Sequence, residues 1–418
     1  MAGEFAYGAG YSLTYDSNIT RVPNNAIAEW TQSLIGGFAY QERTIDVDAR
    51  LLAQAERRDY LRNTYSDEKV YYVDGAAVWT ISPRQFTWTV EDVAHQVRTD
   101  ITTPDTPSNR TNANSLSTGP EFIFRLDPAD TAVIGSRYGR FDIDGPGDNE
   151  RYSGYARWLH SVSAQTTLSA NYAATRVNYQ DPSAFNNFLL EAWFLRYETR
   201  PSPNGMTIDF GTSRVTREGA EALNGRLARL TLLRQLTSES SLQVSFAEEY
   251  SDTGSDLLGT VTIPTQPTGG VPSTPATIVA QGDAYYSKRG DLAYVNQGGH
   301  FGIDLRGYAR SIDYQTLNQD FDEHGGRFEC SYLFSGETRI RAYTEYVRRT
   351  FLDFYQRDTL RNSAVGVTYR LTRNVNITAE AGLFEESSTL PSNNFVDRRV
   401  MLLLAYSSGP LYTVQSRR

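Results

Sequence analysis

Long apolar runs are missing from this 418-residue chain. The stretches that exist are short, as in Met401-Leu402-Leu403-Leu404-Ala405. A membrane helix needs about 18 or more apolar residues in a row, so a bundle of membrane helices is excluded. Cysteine is almost absent too: Cys330 stands alone, which leaves no disulfide framework, no CxxC pair and no CxxCH haem attachment. Lys69 and Lys288 are the only lysines, so every other basic side chain is an arginine. The net charge of −9 argues against an extended basic surface and a nucleic-acid partner. His95, His160, His300 and His324 are scattered without metal-ligand spacing. No Ser-His-Asp arrangement can be read from linear order, and there is no GxxxxGK[ST] phosphate loop. The expectation is therefore no catalytic residue, no metal and no cofactor: not an enzyme.

What the chain has instead is alternation. From Ile45 to Glu56 apolar residues hold the odd positions (Val47, Ala49, Leu51, Ala53, Ala55), and polar ones (Asp46, Asp48, Arg50, Gln54, Glu56) hold most of the even ones. The same period of two runs through 303–310 and 375–383. A run of about ten alternating residues is longer than a typical soluble strand but suits a tilted membrane-crossing one. Such strands hide apolar side chains on one face only, which reconciles a mean hydropathy of −0.47 with a lipid-spanning chain. Many of the apolar-face residues are alanine and glycine; lipid tolerates these better than a close-packed dry core would.

The connections alternate in length. Short turns at 41–43, 82–84, 127–130 and 372–374 are interleaved with longer polar links such as 17–26, 60–68, 99–114, 251–282 and 387–394. Short, long, short, long is the wiring of an up-and-down transmembrane barrel with short periplasmic turns and longer outer loops. The count is about 20 antiparallel strands, between 18 and 22, in one all-β domain over 1–418. The Pro-, Thr- and Gly-rich link 251–282 carries no periodicity; it either folds inward as a constriction or stays outside. Strand-like sequence begins almost at once, which predicts a mature start with the export signal removed and no plug domain ahead of the first strand. A tail, 407–418, follows the last alternating segment. Aromatic residues near predicted strand ends, among them Trp79, Trp88, Trp158, Phe194 and Tyr406, fit interfacial girdles.

The inward face is predicted to carry Asp46, Asp48, Arg50, Glu56, Arg137, Arg157, Glu191, Trp193, Arg229, Asp304, Arg306, Tyr308, Arg310, Arg341, Tyr343, Glu345 and Glu380. Mixed charge on that face suits a water-filled channel. Opposed arginines and carboxylates would also brace a wide barrel, and the aromatic members could offer sliding contacts to sugar faces or act only as filler. Cys330, between Phe328 and Tyr332, is expected to face lipid.

The opening segment, Gly8-Ala9-Gly10-Tyr11-Ser12-Leu13-Thr14-Tyr15-Asp16-Ser17-Asn18-Ile19-Thr20-Arg21, contains a Tyr-Asp-Ser-Asn-Ile-x-Arg core. It resembles the opening signature of the β-barrel porin type 2 family, which is associated with exopolysaccharide and capsule export and with exosortase systems. Asp283-Ala284-Tyr285-Tyr286 and Arg310-x-x-Asp313-Tyr314 extend the likeness more weakly. The resemblance implies an outer-membrane conduit for a secreted polysaccharide, working with a periplasmic polysaccharide-export protein and embedded among outer-membrane lipid and lipopolysaccharide. A general diffusion porin and a structural barrel that scaffolds or sheathes partner proteins are the alternatives.

Overall fold

The computed structural model describes residues 3–144, 147–181, 185–200, 203–259, 282–412 and 414. Twenty strands alternate along the chain. The first ten are β1 (Glu4–Asp16), β2 (Glu29–Arg43), β3 (Val47–Tyr60), β4 (Glu68–Ser82), β5 (Phe86–Arg98), β6 (Arg110–Arg125), β7 (Asp130–Ile143), β8 (Asn149–Ser161), β9 (Thr166–Tyr179) and β10 (Phe188–Thr199). The rest are β11 (Gly205–Arg217), β12 (Leu223–Gln235), β13 (Ser240–Asp252), β14 (Ala284–Gly298), β15 (Phe301–Tyr314), β16 (Phe321–Leu333), β17 (Thr338–Phe351), β18 (Arg357–Arg370), β19 (Val375–Ser388) and β20 (Phe395–Ser407). Among the described residues a short α-helix, α1 (Thr253–Leu258), follows β13.

Each strand pairs antiparallel with its sequence neighbours, and β1 pairs with β20 from Gly8↔Ser407 to Asp16↔Arg399, which closes the sheet. Closure is what lipid demands, because an open edge would leave backbone N–H and C=O groups with no partner. Connections at one end hold two to five residues, and those at the other end hold five or more. We call these the short-turn and long-loop ends. Both termini of the strand set lie at the short-turn end, since the strand number is even.

The outward face is apolar. Leu34, Leu195, Phe210 and Val400 are each more than half exposed, whereas inward Ser33, Asp209 and Asp397 on the same strands are almost wholly buried. This inversion of the soluble pattern marks a lipid-facing surface. Aromatics gather at the short-turn end of that face: Tyr7, Trp79, Trp158, Tyr332, Tyr369 and Tyr406 all point outward and are exposed.

Three features of the sequence reading shift. The turn expected at 41–43 falls three residues later, because β2 continues to Arg43 and β3 begins at Val47. Thr44 closes the turn by accepting from the Val47 amide at 3.0 Å. Gln41-Glu42-Arg43 is polar, but it still alternates across the ladder opposite Arg50, Ala49 and Asp48. The link expected at 99–114 is shorter, since β6 already starts at Arg110. The third concerns β10, where the inward and outward sets are interchanged, as described below. Most of the link 251–282, and nearly all of 413–418 in the tail, lies outside the described residues.

A positive charge on the outward face should be costly at mid-span and cheap inside. Leu402→Arg is expected to lower stability by about 2–4 kcal/mol, and Thr378→Arg, on the inward face of β19, by clearly less. Urea unfolding in micelles, followed by the gel shift between folded and unfolded barrel, measures both. Equal losses would reverse the assignment of faces.

Candidate functional site

The site is the lumen, and its shape is decided by three pieces of chain that leave the wall and enter it. The first is the connection 99–109. Asn109 organises it locally: its Oδ1 accepts from Thr99 Oγ1 at 2.7 Å and the Asp100 amide at 2.8 Å. Its Nδ2 donates to the carbonyl oxygens of Asp100 at 2.7 Å and Pro104 at 3.0 Å. One side chain thus folds a polar link, which ends in the single 3-10 turn Pro107–Asn109, into a compact knob. The tip, Ile101, is 1% exposed and packs among Tyr285, Ile312, Tyr314, Phe321 and Phe351, which project from β14 to β17 on the far side of the barrel. Thr102 O accepts from Gln356 Nε2 at 2.8 Å and Asn393 Nδ2 at 2.7 Å, and Ile101 O accepts from Arg349 Nη1 at 3.3 Å. The knob therefore spans from β5 and β6 to the connections beside β17, β18 and β20.

Its base is held by charge. Arg110 donates twice to Asp105, at 2.6 and 2.9 Å, and Arg21 lies 3.7 Å from the same carboxylate. Burial works against the ionised form of Asp105, but Arg110, Arg21 and Arg98 outweigh it and hold the carboxyl well below the usual range.

The second piece is α1. Asp252 caps it, accepting from the amides of Gly254 at 3.0 Å and Ser255 at 3.2 Å. The same carboxylate takes a two-pronged pair from Arg151 of β8, at 2.6 and 2.8 Å. Leu257, fully buried, then plugs into Val93, Val97, Ala113 and Phe141 on β5 to β7. The start of the link 251–282 thus folds inward, across from its parent strands. The third piece is the tail after β20. Tyr412 and Val414 pack on Ala6, Ile35, Ala39, Leu403 and Ala405 inside the barrel, and Tyr412 Oη donates to Gln54 Oε1 at 3.2 Å. The close approach needs a bare backbone at Gly8, where a Cβ would lie 2.8 Å from the Tyr412 ring.

Of the residues predicted to face inward, Asp48, Arg50, Glu56, Arg137, Arg157, Arg229, Asp304, Arg306, Tyr308, Arg310, Arg341, Tyr343, Glu345 and Glu380 project into the barrel, as the ladder registers require. Most are tied to an opposite charge. Arg229 sits between Asp209 and Glu249, Arg310 and Arg349 share Glu323, and Arg341 reaches Glu380 at 2.7 Å. Arg306 pairs with Asp304 at 2.8 Å, and the Arg327 guanidinium lies 4.0 Å from the Tyr343 ring centre. Tyr343 is thus covered by an arginine rather than offering a free face for a sugar.

Three predicted positions are corrected. Glu191 and Trp193 point to the lipid side: Trp193 is 59% exposed, meets Tyr172 with ring centres 4.0 Å apart, and Tyr172 Oη donates to Glu191 at 3.0 Å. Phe194 turns inward instead, beside the guanidiniums of Arg196 and Arg229. The segment Phe188-Leu189-Leu190-Glu191-Ala192-Trp193-Phe194-Leu195 is apolar on both parities, so alternation alone does not decide its faces. Asp46 is not on the wall at all; it lies in the turn before β3, where its carbonyl oxygen accepts from Thr80 at 2.7 Å. Cys330 faces lipid, in register with Ile303 and Ala342.

Exposure divides the lumen into two zones. Toward the long-loop end the charges are sealed: the side chains of Arg58, Arg349 and Glu323 are 2%, 2% and 0% exposed. Toward the short-turn end they are open, with Arg50 at 35% and Arg341 at 44%. The described interior is therefore a polar vestibule at the short-turn end, partly occupied on the β1, β2 and β20 side by Tyr412 and Val414, that narrows where the knob and α1 enter. Sequence reasoning missed the knob residues Ile101, Asp105 and Asn109, and also Asp252, Leu257 and Tyr412. The Asp-Thr-Gly-Ser capping sequence at 252–255 was a readable signal for α1; Ile101 had none.

Among solved structures, the FrpB iron transporter from Neisseria meningitidis is similar with a TM-score of 0.44 and 10% identity, over 96% of this chain and 82% of that one. A ferric enterobactin receptor (PfeA) mutant from Pseudomonas aeruginosa gives 0.47 and 10%, over 96% and 80%. The copper transporter OprC gives 0.44 and 12%, over 97% and 81%. At this level of similarity nothing about cargo follows from them. No family model matches the chain, and no curated protein is similar to it in sequence. The likeness of the opening segment to the porin type 2 signature rests on its own residues.

The Asp105 pair gives a prediction with a definite sign. A carboxyl whose folded value is depressed contributes fully above its ordinary value near 4, and the contribution disappears as pH falls through the depressed value. The knob should thus resist protease from pH 7 down to about pH 4 and loosen only below that. Asp105→Asn should loosen it at neutral pH, costing about 2 kcal/mol because Arg110 and Arg21 lose their shared partner. Limited proteolysis across 99–109 reads both; equal resistance in the variant would remove Asp105 as the fastener.

Proposed function

We propose that this protein is a channel of the bacterial outer membrane that secretes a hydrophilic polymer, an exopolysaccharide or capsular polysaccharide, and that its own outer segments close it at rest. On this reading the short-turn end faces the periplasm and the long-loop end faces outward. The observation that carries it is the division of the described lumen into a charged, more exposed short-turn half and a long-loop half into which the knob 99–109 and α1 fold. A closure made of loops, held by side-chain contacts, can swing aside with the backbone ladder of the wall intact. The polymer class is supported by the Tyr15-Asp16-Ser17-Asn18-Ile19-x-Arg21 likeness, and in the fold this segment is part of the closure. Asn18 N donates to Asp397 at 2.9 Å, fastening the first outer loop to β20, and Arg21 reaches the knob through Asp105. A periplasmic polysaccharide-export protein would dock at the vestibule mouth and load the polymer.

A diffusion porin fits less well, since it needs a lumen that stands open. A scaffold barrel draws support from one observation, the packing of Tyr412 and Val414 into the lumen.

Bilayer conductance separates the three. The intact barrel should conduct little, and a barrel with 100–108 replaced by a short Gly-Ser link and 253–282 removed should show large, steady steps. Large conductance in the intact protein would favour the porin, and none in either form would favour the scaffold. Loss of surface polysaccharide on gene deletion tests the cargo; unchanged export would sink it.

A further inference from the structure

Arginines on the outward face gather toward the long-loop end, although Asp92 at the middle of β5 and Arg234 at the short-turn end of β12 share that face. Arg176 of β9, Arg214 of β11, Arg226 of β12, Arg348 of β17, Arg361 of β18 and Arg398 of β20 all have lipid-side parity. Each lies three or four residues inside the long-loop end of its strand, as set by Tyr179, Arg217, Leu223, Phe351, Arg357 and Phe395. A strand such as β3, with 14 residues, climbs roughly 35 Å at about 3.3 Å per residue and a tilt near 40°. The apolar band of such barrels is about 25 Å tall, and here it is anchored below by the aromatic girdle at the short turns. The surplus emerges at the long-loop end, which sets these guanidiniums at the level of lipid headgroups.

They also lack ion pairs; among the described residues the one side-chain bond they make is from Arg176 Nε to Asn178 Oδ1 at 3.0 Å. The inward arginines are mostly ion-paired, but none of these six has a carboxylate within 4.0 Å among the described residues, and five of them are exposed. Arg348 stands directly across from His324, and Arg361 directly across from Tyr346, so β16 to β18 present a basic row flanked by a tyrosine. Acids stand opposite two of the six in the ladder, Glu191 opposite Arg214 and Glu385 opposite Arg361, without reaching them. At mid-membrane an unpaired arginine costs about 2–4 kcal/mol, whereas near the interface the cost falls to about 0–1. Alkyl chains cannot pair a guanidinium, but a phosphate can, and bidentately.

We infer that this arginine collar is a binding surface for phosphate-bearing lipid headgroups of the outer leaflet, and that the β16–β20 side, with Arg348, Arg361 and Arg398, is its main seat. The surface goes beyond the channel reading and is independent of the cargo. The barrel is held at fixed depth by the aromatic girdle at the short turns and, at the long-loop end, by phosphate-binding arginines set among further outward aromatics such as Tyr152 and Tyr346. Headgroups gathered there border the outer loops.

The test uses the whole barrel in micelles, incubated with diphosphoryl lipid A or with phosphatidylcholine, and native mass spectrometry to count retained lipid. Lipid A should stay bound where phosphatidylcholine is lost. The triple variant R348Q/R361Q/R398Q should bind it roughly fivefold more weakly for each arginine removed. The triple lysine variant, which keeps the charge, should retain most of the binding. The folded-barrel gel shift confirms that each variant is intact. Equal retention of the two lipids by the wild type, or full retention by the glutamine variant, overturns the inference. So does displacement of lipid A by millimolar inorganic phosphate, which would make the collar a site for free anions.

Discussion

Closure of the sheet between β1 and β20 is the constraint from which the rest follows. In lipid no backbone group can turn to water, so the last strand must find the first. The seam runs from Gly8 to Asp16 against Ser407 to Arg399, and side chains extend it past the end of the ladder. Asp16 takes Arg399 at 2.5 Å, and Ser17 Oγ accepts from the Arg398 amide at 2.7 Å. Asn18 Nδ2 donates to the Val22 and Val396 carbonyls at 2.8 and 3.3 Å. The segment that carries the family-like signature is therefore the clasp of the barrel. A motif at this place has a structural reason to exist whatever passes through the lumen.

A closed ring with an apolar outside must turn its polar residues inward, and a ring of 20 strands is too wide for side chains to fill. Two solutions operate at different depths. In the short-turn half, opposite charges on neighbouring strands pair along the wall. In the long-loop half, chain segments come in and bury the charges; Glu323 can be wholly buried because Arg310 and Arg349 both reach it.

How much of this was legible follows from how local each signal is. The period of two and the alternation of link lengths are properties of neighbouring residues, so strand number, wiring and most inward positions could be read directly. Glu191 and Trp193 were misplaced because β10 is apolar on both parities; its register is settled by Tyr172 and Asp209 on adjacent strands, which sequence order does not bring together. Asp46 was misplaced because polar alternation continues into a turn. The knob could not be read at all. Its fate depends on Ile101 meeting five residues spread from 285 to 351, and such pairings leave no trace in the 11 residues of the link itself.

The knob and α1 close the same lumen with unlike fasteners, and the difference matters for opening. The helix is held by a buried Arg151–Asp252 pair that also supplies its cap, so drawing it out breaks the cap and strands a charge inside the wall. The knob is held at its tip by one isoleucine and three backbone carbonyl contacts, and at its base by a pair on Asp105 that remains partly open to water. Solvent at the base can replace what the pair loses, so the knob is the cheaper element to move. A force applied through the first outer loop reaches it directly, since Arg21 joins that loop to Asp105. The clasp of the barrel and the weaker half of its closure are thus linked through a single carboxylate, and the stronger half rests on walls that the clasp does not touch.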